Sequence, residues 1–368
     1  MKKGILLALL AVGLGAAEPA ADLASVYRKG RITLAPDRDF AQGADWEELF
    51  PTRPRAIAVA ADGSVFVSNQ RDHKIYKFGP DGALLKTFGK KGQGPGDFQF
   101  PSELSVLDDA YLVVGEFMEG RRISLFKLDG AFHAVYKTDG PPSSPMALRN
   151  GKIAYVALTG TLERQGDEFV DVNMNRVMVL DTTTGRSRQV ALIKTSVNAP
   201  RDGEAKIGRS AEGDLLVGHT IRPELEIFSP DGVRKGVIEL SIDRLPVTKK
   251  IAENHQVRMV YNVGGKSREV VRPMGDFLPY YADFTVDAEG NILVFKMNED
   301  PKSGRIVFQV YAPEGRILCE TELDRGGFDL PLDRDMRPRL AFTDRGVYGL
   351  LPFRGDEYET HRLFRVRY

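Results

Sequence analysis

Apolar and β-branched residues in this chain fall in runs of four or five, and most runs are bounded by a turn that ends in glycine. The plainest copy is Asp62-Gly63-Ser64-Val65-Phe66-Val67-Ser68, answered by Pro80-Asp81-Gly82. Others read Asn150-Gly151-Lys152-Ile153-Ala154-Tyr155-Val156, Glu212-Gly213-Asp214-Leu215-Leu216-Val217, Glu289-Gly290-Asn291-Ile292-Leu293-Val294 and Arg345-Gly346-Val347-Tyr348-Gly349-Leu350. Runs this short, rich in Val, Ile, Phe and Tyr and bounded by Asp-Gly or Asn-Gly, predict antiparallel strands joined by tight hairpins.

Two turn positions recur in each unit. The first is occupied by Gly63, Asp109-Ala110, Gly151, Gly213, Gly290 and Gly346, the second by Gly82, Gly130, Gly185, Gly232 and Gly315. Gly63 and Gly82 lie 19 residues apart, as do Gly213 and Gly232. That spacing holds two strands and a loop, so each unit is a four-stranded meander. A lone meander has one face too many to bury, and stacking copies around an axis solves the problem as a β-propeller. The expected fold class is therefore all-β: a six-bladed β-propeller of four-stranded antiparallel blades. Blades are assigned to 53–88, 101–137, 145–193, 203–240, 279–323 and 339–368, with a partly helical insertion at 241–278. The last unit has only three strands before the chain stops. A closing strand at 31–35 is expected to supply the fourth by pairing an N-terminal strand with the C-terminal blade.

Residues 1–17 have the three-part layout of a secretory signal peptide: Met1-Lys2-Lys3, an apolar run from Ile5 to Leu14, then Gly15-Ala16-Ala17. The run falls short of the ~20 residues a bilayer needs. No cysteine lies near it to accept a lipid, so a periplasmic or secreted protein is expected, with one domain over 18–368. Lys plus Arg and Asp plus Glu number 51 each. A balanced charge argues against a nucleic-acid partner, whose binding rests on neutralised phosphates. Cys319 is the only cysteine and excludes an intramolecular disulfide. Set between apolar neighbours, it reads as a packed strand residue.

The run Phe88-Gly89-Lys90-Lys91-Gly92-Gln93-Gly94-Pro95-Gly96-Asp97-Phe98, followed by Phe100-Pro101, is more distinctive than the turns. With Ile57-Ala58-Val59 and the Asp62–Val67 phrase, it resembles NHL-repeat proteins, and more closely the exported bacterial six-bladed propellers related to them. In that family such a run bridges the outer strand of one blade and the inner strand of the next. Leu245-Pro246-Val247-Thr248 and Leu278-Pro279 are similar to the family as well. The resemblance implies a propeller and a periplasmic or surface location, and no single activity.

Catalytic signatures are sparse. Gly92–Gly96 is not a dinucleotide fingerprint, and Pro95 removes a backbone donor. Gly264-Gly265-Lys266-Ser267 lacks the upstream glycine of a phosphate loop. His73, His133, His219, His255 and His361 are dispersed, with no pair at metal-ligand spacing. No cofactor or catalytic residue is assigned. Polar residues do collect after the second strand of each blade, and a closed ring would gather these loops on one face around the channel. The candidate ligand contacts are Arg53, Arg55, Arg71, Glu116, His219 and Lys296. The reading is an exported scaffold that binds a protein, peptide or glycan, without catalysis. The alternative is a lyase or lactonase-type hydrolase with a metal in the channel.

Overall fold

The computed structural model describes residues 22–366 apart from 34–36, 51–53, 117–119, 166–167, 197–202, 256–257, 264–265, 272–274, 301–304, 325–339 and 355–358. The leader at 1–17 lies outside the described residues. The chain opens with α1 (Leu23–Tyr27), β1 (Arg31–Thr33) and α2 (Trp46–Leu49). Blade one follows as β2 (Ala56–Val59), β3 (Val65–Asn69), β4 (Lys74–Phe78) and β5 (Leu84–Phe88). Blade two is β6 (Pro101–Leu107), β7 (Tyr111–Glu116), β8 (Arg122–Lys127) and β9 (Phe132–Lys137). Blade three is β10 (Pro142–Ala147), β11 (Lys152–Gln165), β12 (Glu168–Asp181) and β13 (Arg186–Ser196). Blade four is β14 (Ala205–Arg209), β15 (Leu215–His219), β16 (Glu224–Phe228) and β17 (Arg234–Glu239). The insertion carries α3 (Lys249–His255), β18 (Arg258–Val263) and β19 (Lys266–Val271). Blade five is β20 (Tyr281–Val286), β21 (Ile292–Lys296), β22 (Ile306–Tyr311) and β23 (Ile317–Asp324). Blade six shows β24 (Leu340–Thr343), β25 (Gly346–Arg354) and β26 (Glu359–Val366) among the described residues.

Each blade pairs its strands in chain order and antiparallel, so the molecule is a six-bladed β-propeller. Strand alternation closes the ring. In β3, Val65 and Val67 face one way and pack with Tyr348, Leu350 and Leu363 of blade six. Phe66, between them, faces the other way and packs with Leu112, Val114 and Phe126 of blade two. Equivalent apolar clusters join blades two to three, three to four, four to five and five to six. Six interfaces, each with its own core, leave no gap in the circle.

The predicted turn glycines take the left-handed conformation, as at Gly63 (φ 87°) and Gly82 (φ 81°). In blade two, where the first position lacks glycine, Asp108 and Asp109 both adopt φ 49°. Aspartate tolerates this region better than most side chains.

Closure at the chain ends departs from expectation. Ile32 does not pair with the C-terminal strand; β1 runs parallel to β23, with Ile32 opposite Leu323, and adds a fifth strand to blade five. The cause is the anchoring of α1. Its Tyr27 hydroxyl donates to Asp287 at 2.9 Å and its Leu23 amide to Glu289 at 2.9 Å. Leu23, Val26 and Tyr27 fill the seam between blades five and six. The chain therefore leaves α1 beside the edge of β23, whose unpaired backbone groups capture it.

The outer edge of blade six is met four residues after β1 ends. The Asp37 amide donates to the Arg365 carbonyl of β26 at 2.7 Å, and the Arg365 guanidinium grips the Asp37 carboxylate at 2.6 Å. Ala41 then lies against Gly82, where a Cβ would come within 2.6 Å of the Ala41 amide nitrogen. Around the ring that position belongs to the outer strand of the preceding blade: Phe88 lies on Gly130 and Ile238 on Gly315. Irregular chain after β1 thus occupies the place of a fourth strand. Phe40 and Phe50 continue into the core shared by blades six and one.

Candidate ligand-binding face

Chain direction sets which loops share a face. The inner strand of every blade runs away from one face and the second strand returns to it. Loops between second and third strands, and crossovers between blades, therefore gather there. Every hairpin joining strands on the opposite face is tight, and the N-terminal segment rests on that face, with α1 at the Asp287–Glu289 turn and Ala41 at Gly82.

Both large elaborations of the fold leave from the first of these faces. In blade three, β11 and β12 are 14 residues each, against five for β3 and β4. They stay paired from Lys152↔Asp181 to Gln165↔Glu168. Inner strand β10 ends opposite Ala157, so the hairpin projects beyond the blade by roughly 25 Å at about 3.4 Å per residue. The second elaboration is the insertion between blades four and five. Its neck is pinned by Val247 N–H to Asp276 O and Leu278 N–H to Leu245 O. The Thr248 hydroxyl accepts from the Ile251 amide at 3.2 Å and starts α3, as a cap should. Ile251 packs with Leu278 and Met297, and Asn254 donates to the Glu299 carbonyl, so α3 rests on the loop of blade five. A helical stretch in the insertion was expected; the β18–β19 hairpin was not.

At the mouth, opposite charges face each other both between and within blades. The Arg55 guanidinium lies 4.0 Å from Glu103 at the inner strand of blade two. In blade four the Lys206 ammonium, 2% exposed, meets Glu204, 68% exposed, at 2.5 Å. Gly208, two residues on from Lys206, lies against the Phe284 ring, and Gly218, opposite Lys206 in register, lies against the Tyr281 hydroxyl. The Lys206 side chain thus shares the face of blade four turned to blade five. Burial, with the carboxylates of Asp283 and Glu224, pushes the Tyr281 hydroxyl far above its ordinary range and keeps it protonated. Beside it, the Arg244 guanidinium stacks between Phe277 (5.2 Å) and Tyr280 (5.4 Å) and donates to the Leu278 and Phe277 carbonyls.

The sequence candidates divide. Arg53 lies outside the described residues. Arg55 stands at the mouth as described, and Arg71 is exposed in the turn after β3. His219 ends β15 opposite Ala205, half-buried, its carbonyl accepting from the Arg222 amide at 2.7 Å. Lys296 ends β21 and spends its charge on Glu320 at 2.9 Å. Glu116 has a different role from the expected one. It is fully buried and accepts from Arg122 at 2.5 Å and from the Gln99 amide at 2.7 Å. Arg122 also donates to the Gln93 and Asp97 carbonyls at 3.0 and 2.8 Å. The pair clamps the glycine-rich crossover onto blade two instead of greeting a ligand. Glu103, Glu204, Lys206 and Tyr281 escaped sequence reasoning, because nothing in a strand marks which end reaches the mouth.

Cys319 sits on β23 against the blade five–six core, and burial pushes its thiol up. Among the described residues no three His, Cys, Asp or Glu side chains converge as ion ligands, and no helix is long and apolar enough to cross a membrane.

No protein-family description matches the chain, and no curated protein matches it by sequence. Solved structures do. An exported protein of Bacteroides fragilis NCTC 9343 superposes with a TM-score of 0.50 at 11% identity, over 86% of this chain and 91% of that one. A DUF4221 family member from Bacteroides vulgatus ATCC 8482 also gives 0.50 at 11% identity, over 85% and 94%. A virginiamycin B lyase from Staphylococcus aureus gives 0.44 at 12% identity, over 85% and 95%. Likeness at such identities speaks to the propeller fold alone.

Proposed function

We propose that this chain is an exported binding scaffold, related to the NHL-repeat propellers, that holds a protein, peptide or glycan over its channel mouth without chemical turnover. The leader 1–17 directs export and residues 18–368 form a single propeller domain. One observation carries the reading: both elaborations, the β11–β12 hairpin and the 241–278 insertion, rise from the same face, whereas every hairpin that joins strands on the other face is minimal. Selective enlargement of one face is what a ligand site on a rigid scaffold requires. Arg55, Arg71 and His219 contribute at the rim, joined by Glu103 and Glu204.

The test is to screen the mature protein against a random peptide library and a glycan array, then to repeat with Arg55→Glu/Arg71→Glu. Ligands recovered by the wild type should lose at least about tenfold in affinity on the double variant. Unchanged affinity removes the mouth as the site. Elemental analysis of protein purified without added metal separates the lyase or lactonase alternative. A stoichiometric divalent ion, with hydrolysis of a simple lactone that a chelator abolishes, would favour that alternative.

A further inference from the structure

The projecting hairpin of blade three carries an open strand edge over the mouth. In blade three the sheet order is β10-β11-β12-β13, so the edge of β11 that faces β10 also faces the channel axis. Pairing with β10 stops at Pro142↔Ala157, followed by one hydrogen bond from the Leu158 amide to the Pro141 carbonyl at 3.4 Å. From Thr159 to Gln165, β11 is paired with β12 on one side and, among the described residues, with no strand on the other. Amide direction alternates along a strand. Since the Leu158 amide points toward the β10 side, those of Gly160, Leu162 and Arg164 do too.

Such an edge is a template for another strand. Elsewhere this chain fills one by itself, where β1 adds to β23. We infer that the axis-facing edge of β11 receives an extended peptide as an added β-strand, laid across the mouth of the channel. This rests on the binding reading above and specifies its ligand as a peptide held by main-chain hydrogen bonds. Gly160 adds a preference. The space beside its Cα is open, with nothing within 4 Å of where a Cβ would stand. Strand alternation puts Leu158 on the same face as Gly160. A large aromatic side chain of the peptide, opposite Gly160, covers that gap as aromatic residues cover glycines in paired strands. Proline is excluded from every second peptide position, where the peptide must donate an amide.

The experiment selects 12-residue peptides from a random displayed library on the intact mature protein and measures their affinities. Gly160→Pro and Leu162→Pro each delete one edge amide without touching a donor to β12. Each should weaken binding about fivefold to tenfold, the worth of about one hydrogen bond. On the wild-type protein, the Gly160, Leu162 and Arg164 amides should gain protection from hydrogen exchange when peptide is bound. N-methylation of the peptide at alternate positions should abolish binding in one register and spare it in the other, a readout independent of how the proline variants fold. Peptides that bind both proline variants as tightly as wild type, leave those three amides unprotected and tolerate N-methylation in either register overturn the proposal. So does failure to recover any peptide. If such edge-insensitive peptides are lost on Arg55→Glu/Arg71→Glu, the edge proposal fails while the mouth reading stands.

Discussion

Glu116 shows how a single residue changes meaning between sequence and structure. Its place after the second strand of blade two made it a candidate for a ligand. In the fold it has no exposure and is held by Arg122, which in turn gathers the carbonyls of the Gly92–Asp97 crossover. Phe98, fully buried beside Phe126 at 5.2 Å, pins the same crossover from the other side. Arg122→Ala leaves a buried carboxylate without its counter-charge and should cost about 3–5 kcal/mol. Urea denaturation measures this, and a loss under 1 kcal/mol would contradict the clamp. Tyr76 gives a pH-dependent prediction. Burial first, then the charge and hydrogen bond of Asp72, raise its hydroxyl to about 12. A pKa raised on folding stabilises the protein below the unfolded value of about 10, and the benefit fades as pH climbs toward 12. Tyr76→Phe should therefore flatten the fall of thermal stability between those pH values; identical profiles for both proteins would refute the assignment.

At the scale of elements, the N-terminal segment matters most. It was expected to enter blade six as one strand. It divides the task instead: α1 plugs the seam between blades five and six, β1 extends blade five, and residues 37–50 seal blade six to blade one. Arg365 is the fastener, with side-chain exposure of 12% against 6% for Asp37, and it also donates to the Pro80 carbonyl of blade one. Arg365→Ala should destabilise the protein by about 3–5 kcal/mol because it strands a buried Asp37 carboxylate. Chemical denaturation reads the loss, and its partial recovery in Arg365→Ala/Asp37→Asn would confirm that the stranded charge is the cause. Legibility followed local signal here. Hairpin turns announce themselves through glycine, and their positions were right. The partner of Ile32 was invisible, since a three-residue strand with alternating burial fits any open edge and only the anchoring of α1 decides which one.

For the molecule as a whole, the ring and its elaborations should be separable. Each blade interface has its own apolar cluster, and the insertion contributes a small satellite of Ile251, Leu278 and Met297. Excising residues 248–275 and bridging the neck with two glycines should leave the propeller folded, with its cooperative melting intact. Removing residues 22–41 should instead open the seams on both sides of blade six. The signature would be a lower melting temperature and early proteolysis of the 340–366 segment. Equal stability of the two truncations would show that the N-terminal segment does not close the ring.

Sequence alone determined the repeat, the antiparallel meander and the count of six, because turn chemistry and period-two burial are local properties of neighbouring residues. It also marked the insertion, through a spacing of 58 residues between Gly232 and Gly290 where other units need far fewer. Tertiary structure decided what the extra residues of blade three become, which edge receives β1, and that Lys206 and Tyr281 both lie at the seam between blades four and five. Those outcomes depend on contacts between residues far apart in the chain, whose energies are set by burial and geometry that no local pattern encodes.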